Sequence, residues 1–246
     1  NSLIIKYIDE QLWRLAIERI DAGNVYSSLV KQEAEKTTKT FILLAPNAIF
    51  RYVDKEPQIN SDENLKVIIP GRIDTRMRYY TWVEKIPLKL KRKISIILLG
   101  TTRDKNQLSI IDLFQKNGFM QPFCKPNNFI SYLDFDNIIE NADILMAPFI
   151  RLDSYNASID RNLGSFFDSV RYGKPLLVPS YCPVAEELVD NIIKYDHDQH
   201  LIELFAKYVS TPLSKLEIIK KAHNNSKRYS LENLNYINQL KKYVDI

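Results

Sequence analysis

Four short runs between residues 65 and 178 carry apolar side chains at nearly every position: residues 65–70, 94–99, 143–147 and 176–178. A strand that meets water on one side alternates apolar with polar residues, so continuous runs of this length belong in a sheet covered on both faces. Helical stretches separate them. Residues 75–86 end at Pro87, residues 107–116 stop at Gly118, residues 135–141 precede the third run, and a short helix with Ser165 as its cap closes at Gly173 and Pro175. Such alternation predicts an α/β chain with a Rossmann-like parallel sheet and helices on both faces. Ligands bind these sheets beyond the carboxyl ends of the strands, which directs attention to the loops after Pro70, Leu99 and Ala147. Further short strands are expected near residues 120–124, 129–130 and 192–193, and three helices in the polar tail, around residues 199–209, 213–224 and 229–243.

Upstream, residues 3–20 place apolar side chains at helical spacing, residues 26–35 read as a second helix, and residues 41–45 as a buried strand before Pro46. Residues 55–64 include Gln58, Asn60, Ser61, Asp62 and Glu63 with hardly an apolar side chain, and read as a linker. The expected organisation is therefore residues 1–54, a linker at 55–64, and a main domain at 65–246.

The densest chemistry lies between Asp160 and Pro175. Asp160 and Asp168 stand eight positions apart, Gly164 and Ser165 open the helix, and Gly173-Lys174-Pro175 ends it. A helix opening offers unpaired N–H groups and the positive end of the dipole to an anion. Spacing alone also fits Asp168 to a capping box with Ser165, and Asp160 to a loop cap.

A carboxylate, seven residues, a second carboxylate and then Gly-Lys-Pro resembles the donor-site signature of the two-lobed GT-B glycosyltransferases (group 1, family 4-like). That family usually carries Glu at both acidic positions; here both are Asp. The resemblance implies that residues 65–246 form the C-terminal, donor-binding lobe and that residues 1–54 are a remnant of the N-terminal, acceptor lobe. It implies that Asp168 meets the nucleotide ribose, Asp160 the transferred sugar, and the Gly164 and Ser165 amides the phosphate.

The stretch Gly71-Arg72-Ile73-Asp74-Thr75-Arg76-Met77-Arg78 follows the first strand. If Asp74 or Thr75 caps the next helix, Arg76 and Arg78 fall in its first turn, where cations oppose the dipole and an anion would relieve them. Pairing with nearby carboxylates, or exposure to water, would satisfy them too. The resemblance implies a clamp on the donor diphosphate, with Gly71 and Arg72 matched by position and Arg76 slightly preferred to Arg78 as the second cation. It places base recognition near Ile130, for which packing into the core is the other reading, and Gly100, after the second strand, is positioned to line the same cleft. With arginines and a helix end to neutralise the departing diphosphate, no metal and no cofactor are implied.

Two other clusters have ligand-like composition. Asp134-Phe135-Asp136 imitates a metal-binding Asp-x-Asp pair, yet the apolar run after it makes it an ordinary helix start. Asp196, His197, Asp198 and His200 sit at the opening of another helix, where capping explains them. A Gly-x-Ser-x-Gly elbow, a Walker loop and a Gly-x-Gly-x-x-Gly turn are all absent from the sequence.

The net charge of +4 is spread along the chain, which argues against nucleic acid as a partner. Only Cys124 and Cys182 are present, 58 positions apart, and suit a reducing, cytoplasmic setting. No apolar run approaches the roughly 20 residues of a membrane span; the resemblance admits peripheral association with the inner face of a membrane through the missing lobe. The expected function is transfer of a sugar from a nucleoside diphosphate sugar to a glycan, lipid-linked or small-molecule acceptor hydroxyl. Retention of configuration and a role in glycan or polysaccharide biosynthesis go with it. The alternatives are a non-catalytic glycosyltransferase-like binding or partner protein, and a nucleotide-binding regulatory domain.

Overall fold

The computed structural model describes residues 22–25, 32, 35–36, 41–44, 64–101, 105–124, 130–150 and 164–243. The helix expected at residues 3–20 and the linker residues 55–63 lie outside these; of the helix expected at 26–35, Gln32 and Glu35 are described and are helical. The chain divides into two compact units, one of residues 1–51, 185–187 and 230–246, the other of residues 52–184 and 188–229.

In the first unit, β1 (Ala22–Val25) and β2 (Phe41–Leu44) pair in parallel, Ala22 opposite Phe41 and Val25 opposite Leu44. β2 matches the apolar run seen in the sequence. β1, Ala-Gly-Asn-Val, has a single β-branched residue and gives no strand signal of its own.

The second unit is built on five parallel strands: β3 (Leu65–Pro70), β4 (Ile94–Leu99), β5 (Ile144–Met146), β6 (Leu176–Pro179) and β7 (Ile192–Tyr195), in the order β4-β3-β5-β6-β7. The chain steps from β3 to β4 on one side, then crosses back to β5 on the other. That reversal parts the connections at the carboxyl ends of β3 and β5 and opens a crevice there.

Around the sheet stand α1 (Leu88–Lys91), α2 (Lys105–Lys116), α3 (Tyr132–Glu140), α4 (Gly164–Tyr172), α5 (Asp198–Ser210) and the part of α6 (Pro212–Tyr243) up to residue 229, the rest of that helix belonging to the first unit. Side chains alternate between two cores, as the period of a strand requires. Leu65, Val67, Ile69, Ile144, Met146 and Leu177 face one core with Trp82, Phe114 and Phe205. Ile68, Leu145, Leu176 and Val178 face the other with Ile139 of α3 and Phe166 of α4. Helices thus cover both faces, and the continuous apolar runs are explained. In the first core the Trp82 ring meets Phe114 edge-on at 5.9 Å and Phe205 at 6.0 Å.

Three expectations are corrected. Residues 75–86 do not form one helix: a turn through residues 75–77 leads to an isolated bridge at Arg78, then to a single 3-10 segment, Thr81–Lys85. Tertiary pairing of Arg78 with Phe149 pulls the backbone extended there. Residues 120–124 form no strand, because side chains serve the edge of β4. Gln121 Oε1 accepts from Leu98 N at 2.8 Å, Gln121 Nε2 donates to Ile96 O at 2.9 Å, and Cys124 Sγ donates to Leu98 O at 3.0 Å. The two helices expected at 213–224 and 229–243 are one, α6. Asn225 and Ser226, in the gap between the two expected helices, donate their side chains to Asn191 Oδ1 and Val170 O, so their competing groups are satisfied without interrupting the helix.

Candidate functional site

The crevice is built from the residues that leave β3. Gly71 turns the chain with φ +92°, which favours glycine, and donates its N–H to Leu99 O at 2.9 Å. A Cβ on Gly100 would stand 1.9 Å from Gly71 O, so the loops after β3 and β4 approach as only glycine allows. On its other side Gly71 lies against Arg78, whose Nη2 would be 3.1 Å from a Cβ at Gly71.

Asp74 organises the next turn. Its carbonyl accepts from Met77 N and Arg78 N, and its buried carboxylate holds Arg76 at two points, Nε–Oδ1 at 3.1 Å and Nη2–Oδ2 at 2.8 Å. That fork-on-fork contact pulls the Asp74 carboxyl down to about 2. Arg72 reaches the same carboxylate at 3.8 Å and is half exposed. Of the openings left by the sequence, Arg76 has taken the pairing one.

Arg78 is differently placed. Its backbone is pinned to the loop after β5 by Tyr79 N to Pro148 O at 2.8 Å and Ile150 N to Met77 O at 3.1 Å. Its guanidinium lies 5.7 Å from the Phe149 ring centre, and Nη2 donates to Ser165 Oγ in the first turn of α4 at 3.4 Å. Arg78 is 8 % exposed, and among the described residues its Nη1 and the buried Tyr80 hydroxyl near it make no hydrogen bond of full geometry, only a weaker mutual contact. Burial pushes the Tyr80 phenol up, against the pull of Arg78 beside it. A buried guanidinium with an unused donor is costly unless an anion completes it.

Ser165 lies one residue inside α4, not before it, and is buried; its hydroxyl serves Arg78. Gly164 has open space where a Cβ would stand. Asp168 follows Ser165 by three residues, hence on the same helix face. Desolvation pushes its carboxyl up to about 6, while Arg171 and Arg78 pull down and Asp136 pushes up. The structure thus brings Gly71, Gly100, Arg78, Ser165 and Asp168 into one neighbourhood, with Arg72 at its rim. Asp160 lies outside the described residues. Ile130 packs half-buried against the second core just before α3.

The remaining motifs have structural partners. Ser131 caps α3, its hydroxyl accepting from Asp134 N at 3.1 Å and donating to Asp134 Oδ2 at 2.7 Å. Asp136 accepts from the Tyr172 hydroxyl and lies 3.6 Å from Arg171. Lys174 donates to Glu140 O and Ala142 O, closing the end of α3, and Gly173 at φ +61° lies 3.3 Å from the His223 backbone by the position of a Cβ. His197 caps α5 by accepting from His200 N at 3.1 Å, and Asp196 holds the His200 ring at the same distance. Among the described residues no group of three or more His, Cys, Asp or Glu is placed to hold a metal ion, and no described helix is long and apolar enough to cross a membrane. Phe149 and Pro148 went unread in the sequence, although a proline directly after an apolar strand marks a loop at its carboxyl end.

No protein-family model matches the sequence, and no curated protein does. Solved structures do. TarM of S. aureus superposes with a TM-score of 0.62 at 11% identity, over 94% of this chain and 45% of that one. The pneumococcal O-GlcNAc transferase GtfA, solved with UDP and GlcNAc, gives 0.60 at 11% identity, over 91% of this chain and 45% of its own. Anabaena HepE, solved with UDP and glucose, gives 0.60 at 10% identity, over 93% and 66%. This chain spans about half the length of the first two and two thirds of the third. Its fold is that of the GT-B glycosyltransferases, matched over part of their length.

Proposed function

We propose that the crevice binds the diphosphate of a nucleotide sugar and that the chain serves transfer of that sugar to an acceptor hydroxyl, with retention. The buried Arg78 guanidinium, bonded to Ser165 Oγ at the opening of α4, is the observation that carries the reading. Two cationic sources converge there, a fixed charge and the first amides of a helix, and neither needs to reorganise as negative charge leaves with the diphosphate. The UDP held by GtfA and HepE makes a uridine nucleotide the first donor to try.

Within this reading Arg78 takes the inner place of the clamp and Arg72 the outer. Arg76 contributes only if it releases Asp74. Gly71 and Gly100 keep the floor of the crevice free of side chains, and the Gly164 and Ser165 amides receive phosphate. Asp168 accepts from the ribose hydroxyls, Asp160 contacts the sugar, and Ile130 flanks the base. Residues 1–54 belong to the preceding, acceptor-binding lobe, joined through residues 55–64 to the donor lobe at 65–246. A cytoplasmic place in glycan or polysaccharide synthesis suits such a donor.

Calorimetric titration with UDP and inorganic pyrophosphate tests the reading. Arg78→Gln should weaken both by about 1.5–3 kcal/mol, the range for a charge-assisted bond, without lowering the thermal midpoint, since it removes a buried charge lacking full partners. Wild-type affinity in that variant would remove Arg78 from the site. Failure of the native chain to bind any nucleoside diphosphate would end the proposal.

A further inference from the structure

A basic run lies at the pole of the second unit opposite the crevice. The run Lys85-Ile86-Pro87-Leu88-Lys89-Leu90-Lys91-Arg92-Lys93 holds five cations and no acid, more positive charge than the whole chain's net +4. It forms the end of the 3-10 segment, the single turn α1 and the entry to β4. Lys93 O accepts from Leu65 N, which fixes the run at the amino ends of β3 and β4.

Most of this charge is unspent. Lys85 pairs with Asp198 at 2.7 Å and Lys91 donates to Asn117 Oδ1, whereas Lys89, Arg92 and Lys93 are exposed and form no ion pair among the described residues. Glu84 lies just outside the run. At its centre Leu88 is 67 % exposed beside exposed Pro87, while Ile86 and Leu90 turn inward to anchor the turn on the core. Leu88 thus stands exposed in a run whose other exposed side chains, Pro87 apart, are cations.

We propose that this turn docks the unit on an anionic lipid surface, Leu88 entering the interface and the lysine and arginine heads meeting lipid phosphates and carboxylates. Lysine and arginine stems lie along an apolar boundary while their charges stay wet, and polybasic segments gain from every cation held near an anionic leaflet. The run has no aromatic side chain to stack on bases and no amide side chain to read them, which sets nucleic acid behind lipid. Docked this way, the bilayer lies about one strand, roughly 20 Å, from the carboxyl ends of the sheet, and the crevice stays open to soluble ligands. This inference does not rest on the donor-site reading.

Co-sedimentation with vesicles of phosphatidylcholine, alone or with phosphatidylserine, tests it. The native chain should pellet with the serine-containing vesicles only, and less as salt is raised. Each cation removed should lower partitioning about five-fold, so K89E/R92E/K93E should abolish it, with thermal unfolding and circular dichroism confirming an intact fold. If that variant fails to fold, Lys89→Gln and Leu88→Asp separately should each still show the loss. Equal pelleting with neutral vesicles, or undiminished pelleting of the variants, would overturn the proposal. So would tighter binding to duplex DNA than to serine vesicles at the same salt.

Discussion

At the scale of single residues the decisive contrast is between Arg76 and Arg78, two positions apart. Arg76 is three-quarters exposed and spends its guanidinium on Asp74; Arg78 is buried, shares one bond with Ser165, and has a donor left over. Arg76→Gln should therefore change nucleotide affinity by less than about 1 kcal/mol, in contrast to Arg78→Gln; equal losses in titration would mean that Arg76 leaves Asp74 on binding. Asp168 makes a pH-dependent claim. Its folded carboxyl, near 6, lies above the unfolded value near 3.8, so the folded state holds its proton more tightly. That contribution is fully present below the unfolded value and is lost as pH rises to about 6, a fall of roughly 2–3 kcal/mol. Asp168→Asn should remove this slope in denaturant unfolding followed from pH 4 to 7 and leave the protein more stable at pH 7; an unchanged slope would assign the titration to another group. Asp74 acts with the opposite sign. Depressed to about 2, it stabilises above its unfolded value and ceases to as pH falls through 2.

At the scale of elements the loops at the carboxyl ends of β3, β4 and β5 form one unit with α4. Gly100→Ala places a methyl group 1.9 Å from Gly71 O, and backbone cannot swing aside as a side chain can. A loss of about 2–4 kcal/mol of stability is expected, in the range of severe overpacking, and a variant with native stability in urea would show that the two loops yield. Gly164→Ala has room and sits at the start of a helix, so stability should hold or rise by up to about 1 kcal/mol. If the α4 amides cradle phosphate, the same variant should weaken pyrophosphate and UDP together in titration. Lys174, within the Gly-Lys-Pro motif, sets its ammonium on Glu140 O and Ala142 O at the end of α3, where a cation complements the dipole.

Across the whole second unit, α6 is tied to the sheet by buried polar groups. Lys215 Nζ lies 3.5 Å from Asp143 Oδ1, both side chains buried, while Asp143 Oδ2 accepts from Lys66 N at 2.9 Å. Lys215→Met strands that carboxylate and should cost about 3–5 kcal/mol in denaturant unfolding; adding Asp143→Asn should restore much of it, because the residual group is neutral and keeps the bond from Lys66. If the double variant is no more stable than Lys215→Met alone, the pair is not the source of the loss.

The parallel sheet was legible in the sequence because burial on both faces writes itself as unbroken apolar runs, and β3, β4, β5 and β6 all fall on them. The switch point could be located to the same extent: glycines after β3 and β4 and a polar helix opening after β5 sit where such sheets bind ligands. What the sequence could not decide was which arginine faces the crevice. A local reading continues a helix from Asp74 and places Arg76 and Arg78 alike, whereas the bridge from Arg78 to Phe149, 71 positions away, unwinds that helix and buries one guanidinium against α4. The same holds for Gln121 along β4 and for Ser226 under α4. These are bonds between residues far apart in the chain, and no local periodicity encodes them; only the packed fold chooses among the partners each side chain could have had.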